Sequence, residues 1–212
     1  LPLRYVVNAG YAGRDQDAVK AHIDELAEIG VNGPKHIPTF YPVPVLQLTQ
    51  GPALQVGHDK TSAEVEYVFI QTEEKRYITV GSDHSDRALE AYSVNAAKQI
   101  CPNVIAAELW DYDEVCDHLE QLVLVCEVCE QDEWRVYQQG PVTALLPPEK
   151  LLKLGEPVLP ASRNGLVLYS GTVATIGEIT YADRWRISLK DQKTGSLITT
   201  EYTVEVLPAC IE

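Results

Sequence analysis

The sequence predicts an α+β protein that is mostly antiparallel and β-rich, with few helices. Three observations carry this expectation. Only two stretches repeat apolar residues at helical spacing, eight others alternate or run apolar as strands do, and charged or glycine-containing turns separate neighbouring strands.

Residues 4–9 (RYVVNA) read as a buried strand, followed by a glycine-containing turn over residues 10–13. Residues 15–29 follow a helical pattern, with Val19, His22, Ile23, Leu26 and Ile29 on one stripe. Asp15 suits the N-cap and Gly30 the C-terminal stop. Four prolines in residues 33–44 predict irregular backbone. Residues 64–70 and 76–81 flank a charged turn and read as an antiparallel hairpin. One helix is expected over residues 87–100, stopping before Cys101-Pro102. Residues 119–128, 134–138 and 166–175 are strand-like, as are 185–189 and 197–206 on either side of a DQKTG turn. Residues 1–50 read as a strand–helix–loop segment able to serve as a lid. Residues 51–212 read as a β-rich metal-binding catalytic domain.

A net charge of −14 repels phosphate backbones and anionic membranes, which excludes nucleic acid and lipid surfaces as expected partners. A hydrated divalent cation is electrostatically welcome. No apolar run approaches the ~20 residues that span a bilayer. The first ten residues lack a signal-peptide pattern. Five scattered cysteines (Cys101, Cys116, Cys126, Cys129 and Cys210) suit reduced thiols, so a cytoplasmic protein is expected. Cys126 and Cys129 spell C-x-x-C, but in an alternating strand they face opposite sides and no second pair exists. Neither zinc nor redox chemistry is expected there.

The residues that point to chemistry lie on the hairpin. Glu64 and Glu66, two apart in a strand, share a face with Val68 and Ile70, their Cα atoms ~7 Å apart. One reading is a solvated outer strand. The other is a half-buried pair of like charges, costly unless a cation lies between them. If the turn centres near Glu73, residues whose numbers add to about 146 pair, which brings Asp83 beside Glu64. Three such carboxylates suit Mg²⁺ or Mn²⁺, with Ca²⁺ as a substitute, rather than Zn²⁺.

AGYAGRD, KAHIDELAEIG, TSAEVEYVFI, VGSDHSDRALEAYSVNAAKQICP, YQQG and LYSGTVATIG run in order from about residue 9 to 177. As an ordered set they resemble the fumarylacetoacetate hydrolase superfamily, and more closely a branch of it described only as a domain of unknown function. The resemblance implies that superfamily's mixed β-sandwich roll and a homodimer. It implies that Glu64, Glu66 and Asp83 are metal ligands, that Arg87 and Lys98 face a substrate's carboxylate and oxo oxygens, and that Thr172 lines the same pocket. His22 and Glu25 look like its His-x-x-Glu dyad. Two departures stand out: the usual Gly-Thr-Pro turn reads Gly171-Thr172-Val173, and extra residues precede His22.

Physical chemistry gives several of these residues a second reading. His22 lies in an apolar stripe, as a core histidine would, although Glu25 three residues on shares its face and could raise its basicity. Lys98 near a helix end complements the dipole, whereas Arg87 at a helix start needs a specific negative partner. His84 and Asp86 read equally as support for the site or as surface residues. The expected function is divalent-metal-dependent hydrolysis of a C–C bond in a small 2-oxo or 1,3-dicarbonyl acid through a metal-stabilised enolate, with Lys98, His22 and Glu25 catalytic. Oxo-acid decarboxylation or tautomerisation at the same site, and a non-catalytic domain with a structural cation, are the alternatives.

Overall fold

A charged four-residue turn closes the central hairpin. Thr72 and Lys75 exchange hydrogen bonds across it, and Val65↔Ser82 through Gln71↔Arg76 pair in unbroken register. The computed structural model describes residues 1–28 and 33–211, apart from the side chains of His22 and residues 25–28. In chain order its elements begin with β1 (Tyr5–Gly10), α1 (Gln16–Glu28), β2 (Thr39–Val43), β3 (Leu48–Thr49), β4 (Ala53–Val56) and β5 (Thr61–Ser62). The hairpin follows as β6 (Val65–Gln71) and β7 (Arg76–Asp83), then β8 (Ser85–Asp86), α2 (Arg87–Glu90), α3 (Val94–Ile100), β9 (Asn103–Ile105) and β10 (Trp110–Asp111). The rest is α4 (Tyr112–Val115), β11 (Leu122–Glu130), β12 (Glu133–Pro141), α5 (Pro148–Leu154), β13 (Leu166–Tyr169), β14 (Arg184–Asp191) and β15 (Leu197–Val206).

The strands form a large sheet in the order β2-β1-β13-β6-β7-β9-β3, with β10 also on β7, and a second sheet in the order β12-β11-β14-β15-β4. Strands β5 and β8 pair separately beside the large sheet. Pairing is antiparallel except at β1–β13, β3–β9 and β15–β4. Residues 1–50 thus supply β1, β2 and β3 to the large sheet.

Alternation along β6 sends its residues to two cores. Val65, Tyr67 and Phe69 pack between the sheets with Leu124, Trp185, Ile187 and Ile198. Val68 and Ile70 face a smaller cluster with Val6, Val43, Ile105, Val167 and Tyr169. That second face is concave. Asn8 on β1 and Asn103 on β9 stand four strand spacings apart, roughly 19 Å on a flat sheet, yet Asn103 Nδ2 donates to Asn8 Oδ1 at 2.8 Å. Gly81 allows the curl, since a Cβ there would stand 2.6 Å from Tyr169 Cε1 and 2.7 Å from Val68 Cγ2.

The structure corrects several boundaries. The expected helix over 87–100 is broken, because Asp86 caps α2 at Leu89 N–H and Ser93 caps α3 at Ala96 N–H. The proline-rich stretch contains β2, which tolerates Pro42 as the outermost strand of its sheet. β13 ends at Tyr169, where the chain turns through Gly171 at φ +85°. Residues 116–121 form 3₁₀ turns before β11. Ile29 and Gly30 lie outside the described residues. No described helix is long and apolar enough to cross a membrane.

Candidate metal centre

The hairpin register sets the site. Glu64 precedes β6 and accepts the Asp83 N–H on its backbone carbonyl at 3.1 Å. Asp83 ends β7, and Glu66 lies within β6 on the concave face. One ligand oxygen from each of Glu64, Glu66 and Asp83 lies within 4.8 Å of the others. Glu66 and Asp83 are 1% and 0% exposed, so the cluster is sunk into the sheet.

Two cations answer it. The α3 residue Lys98 donates to Glu64 Oε2 at 3.1 Å and to Asp83 Oδ2, with its ammonium 5.9 Å from the Tyr41 ring centroid. Arg87, the first residue of α2, donates through Nη1 to Glu64 Oε1 and Glu90 Oε2, both at 2.9 Å, and through Nε to Ser62 Oγ at 2.7 Å. Gly171 N–H donates to Glu66 Oε2 at 2.7 Å, and Ser85 Oγ lies 3.4 Å from Glu64 Oε2.

The electrostatics are unequal. Burial opposes ionisation of Glu64, but Arg87 and Lys98 outweigh it and hold the carboxyl down to about 2. Burial and the neighbouring Asp83 push Glu66 well above the usual carboxylate range. Burial raises Asp83 to about 6, with Lys98 pulling it down and Glu64 adding to the rise. Desolvation lowers Lys98, and the surrounding carboxylates more than reverse that.

The residues fit a divalent cation on two counts. Only Lys98 and Arg87 answer Glu64, Glu66, Asp83 and Glu90 among the described residues, so ionising all four carboxyls would leave two negative charges for a cation to meet. Asp83 Oδ1 is fully buried and has no hydrogen-bond partner among the described residues, which is costly unless something positive meets it. An all-carboxylate donor set suits hard cations such as Mg²⁺ or Mn²⁺.

Glu64, Glu66, Asp83, Arg87 and Lys98 therefore stand together. The Thr172 hydroxyl donates to Val65 O at 2.8 Å and accepts from Gln138 Nε2 at 2.9 Å. His22 and Glu25 belong to α1, and their side chains lie outside the described residues. His84 and Asp86 are buried, which corrects the surface reading. Tyr202 Oη and Thr61 Oγ1 flank the His84 ring at 3.1 and 2.9 Å, and burial followed by Arg87 drives its pKa down to about 3. No role was assigned from the sequence to Glu90, Ser62, Gln138 or the Gly171 N–H, although Gln138 lies in the YQQG stretch, Gly171 in the Gly-Thr turn, and Glu90 three residues after Arg87 in a helix.

The curled sheet backed by a second sheet matches the fold of solved fumarylacetoacetate hydrolase family proteins. A yeast member of that family superimposes with a TM-score of 0.71 at 17% identity, covering 100% of this chain and 96% of its own. A Burkholderia cenocepacia protein, provisionally assigned as a fumarylpyruvate hydrolase, gives 0.68 at 18%, covering 98% and 90%. A 2-keto-3-deoxyarabinonate dehydratase gives 0.68 at 14%, covering 99% and 76%. Residues 9–202 match the family described as protein of unknown function (DUF2848), and the chain belongs to that family. No curated protein matches it.

Proposed function

We propose that the protein is a divalent-metal-dependent enzyme that hydrolyses a C–C bond in a small 2-oxo or 1,3-dicarbonyl acid. The observation that carries this reading is the trio of Glu64, Glu66 and Asp83 oxygens within 4.8 Å, with Asp83 Oδ1 unpartnered among the described residues. The enzymes whose fold it shares support the class. They include a dehydratase, so the fold by itself does not choose the bond.

Glu64, Glu66 and Asp83 would hold Mg²⁺ or Mn²⁺, which would supply Lewis acidity to the oxo and carboxylate oxygens. Lys98 would place its ammonium beside charge developing on the oxo oxygen, and Arg87 would add to that field. Because Arg87 is already bonded to Glu64, Glu90 and Ser62, a substrate carboxylate would compete with Glu90 for it. The Gly171–Thr172 turn would form one wall. His22 and Glu25, on α1 acting as a lid between β1 and β2, would take a proton from the attacking water. Decarboxylation or tautomerisation would use the same residues without that water. We place the enzyme in the cytoplasm as a homodimer.

A second reading, a structural cation in a non-catalytic domain, draws on the burial of Glu66 and Asp83. A screen of 2-oxo and 2,4-dioxo acids with metal-stripped and Mg²⁺- or Mn²⁺-loaded protein separates the two, together with Glu66→Ala. The enzyme reading expects metal-dependent turnover, lost in Glu66→Ala with a modest change in melting temperature. No turnover by loaded protein, together with a large fall in melting temperature in Glu66→Ala, would favour the structural cation.

A further inference from the structure

The E-x-E strand has a gap on one side. β13 pairs with β6 only from Tyr169↔Val68 to Leu166↔Gln71, and the chain then turns away through Ser170 and Gly171. On the opposite side Glu64 O accepts from Asp83 N, so Val65, one residue on, points its N–H and C=O away from β7 towards the missing strand. This residue sits between two of the three carboxylates. Its buried polar groups need partners.

Side chains fill the gap. Val65 N–H donates to Gln138 Oε1 at 2.9 Å, Gln138 Nε2 donates to Thr172 Oγ1 at 2.9 Å, and Thr172 Oγ1 donates to Val65 O at 2.8 Å. The ring is closed. Gln138 Nε2 also reaches Val173 O at 2.6 Å, so one amide, 1% exposed, ties the E-x-E strand to the 171–173 turn. From that turn Gly171 N–H reaches Glu66 Oε2.

Gln138 comes from the other sheet. The β11–β12 register shifts between Cys126 and Glu127, which leaves Tyr137 as the extra residue. Regular alternation would bury only one of Tyr137 and Gln138, but both are buried. The bulge re-aims Gln138 across the sheet interface to the open end of β6.

We infer that Gln138 is a positioning residue for the metal centre: through Val65 and the 171–173 turn it sets the direction of Glu66. This rests on the proposed metal site. Groups that orient ligands typically change metal affinity about 10–100-fold when removed.

The test is Mn²⁺ affinity by titration calorimetry, with the spin-resonance spectrum of bound Mn²⁺, on folded protein well below each variant's melting temperature. Gln138→Leu breaks the ring at the amide and Thr172→Val breaks it at the hydroxyl, so either carries the test if the other fails to fold. Both are expected to weaken Mn²⁺ binding by about 10-fold or more and to alter the spectrum. Phe69→Ala, destabilising but on the opposite face, controls for stability alone. If wild-type protein and both variants bind Mn²⁺ equally, with only melting temperatures lowered, Gln138 is structural and the inference fails while the metal site stands. Wild-type protein that binds no Mn²⁺ overturns both together.

Discussion

The two faces of β6 use one strand for opposite ends. Towards the second sheet, Val65, Tyr67 and Phe69 are buried among apolar neighbours, and Phe69 meets Tyr112 edge-on at 5.1 Å. Towards the concave side, Glu66 is as deeply buried but shares its space with Asp83, Glu64 and Lys98. Apolar burial on the first face stabilises the fold, at roughly 25 cal/mol per Å². Burial on the second raises the free energy of every charge there and leaves Asp83 Oδ1 unpartnered among the described residues. One face therefore supports the strain held in the other.

The largest effect should come from the apolar face. Phe69→Ala leaves a cavity between the sheets and is expected to lower unfolding free energy by about 3–5 kcal/mol, with metal affinity unchanged. Denaturant unfolding checks the first part and Mn²⁺ titration the second. A large loss of affinity would show that the faces are not independent.

Next is Lys98→Ala. Removing the ammonium from between Glu64 and Asp83 leaves buried carboxylates uncompensated, at a cost of about 3 kcal/mol in metal-free protein. Saturating Mg²⁺ or Mn²⁺ should recover part of it, seen as a larger metal-induced rise in melting temperature than in wild type.

A smaller effect is the pH dependence. Carboxyls raised in the folded state contribute stability below their unfolded value near 4, and lose it as pH rises through the folded one, about 6 for Asp83 and well above the usual carboxylate range for Glu66. The gap in melting temperature between metal-loaded and chelator-treated protein should therefore widen from pH 5 to pH 8. In Glu66→Gln it should stay narrow. A gap that narrows with rising pH would contradict the electrostatics described.

The site's own trio was legible in the sequence because it is local. A hairpin turn fixes register, and the expected sum of about 146 fell one short of the observed Val65↔Ser82 pairing. What arrives from far along the chain was not legible. Gln138 reaches the site from a distant strand and Gly171 from the turn after β13, and a bulge with no sequence marker decides where Gln138 points. His84 was ambiguous for the same reason, since Tyr202 lies 118 residues away. The helix break at Ser93 carried a readable N-cap, but the apolar periodicity across it favoured one continuous helix. Pro42 read as a strand breaker because edge position is a property of the sheet rather than of the segment.

The central claim is that the concave face holds a divalent cation on Glu64, Glu66 and Asp83. Metal analysis of purified wild-type protein and Glu66→Gln, both folded and dialysed against the same buffer containing Mn²⁺, tests it most directly. Close to one divalent ion per wild-type chain and a large loss in Glu66→Gln are expected. Equal metal in both, or none in either, would contradict that claim.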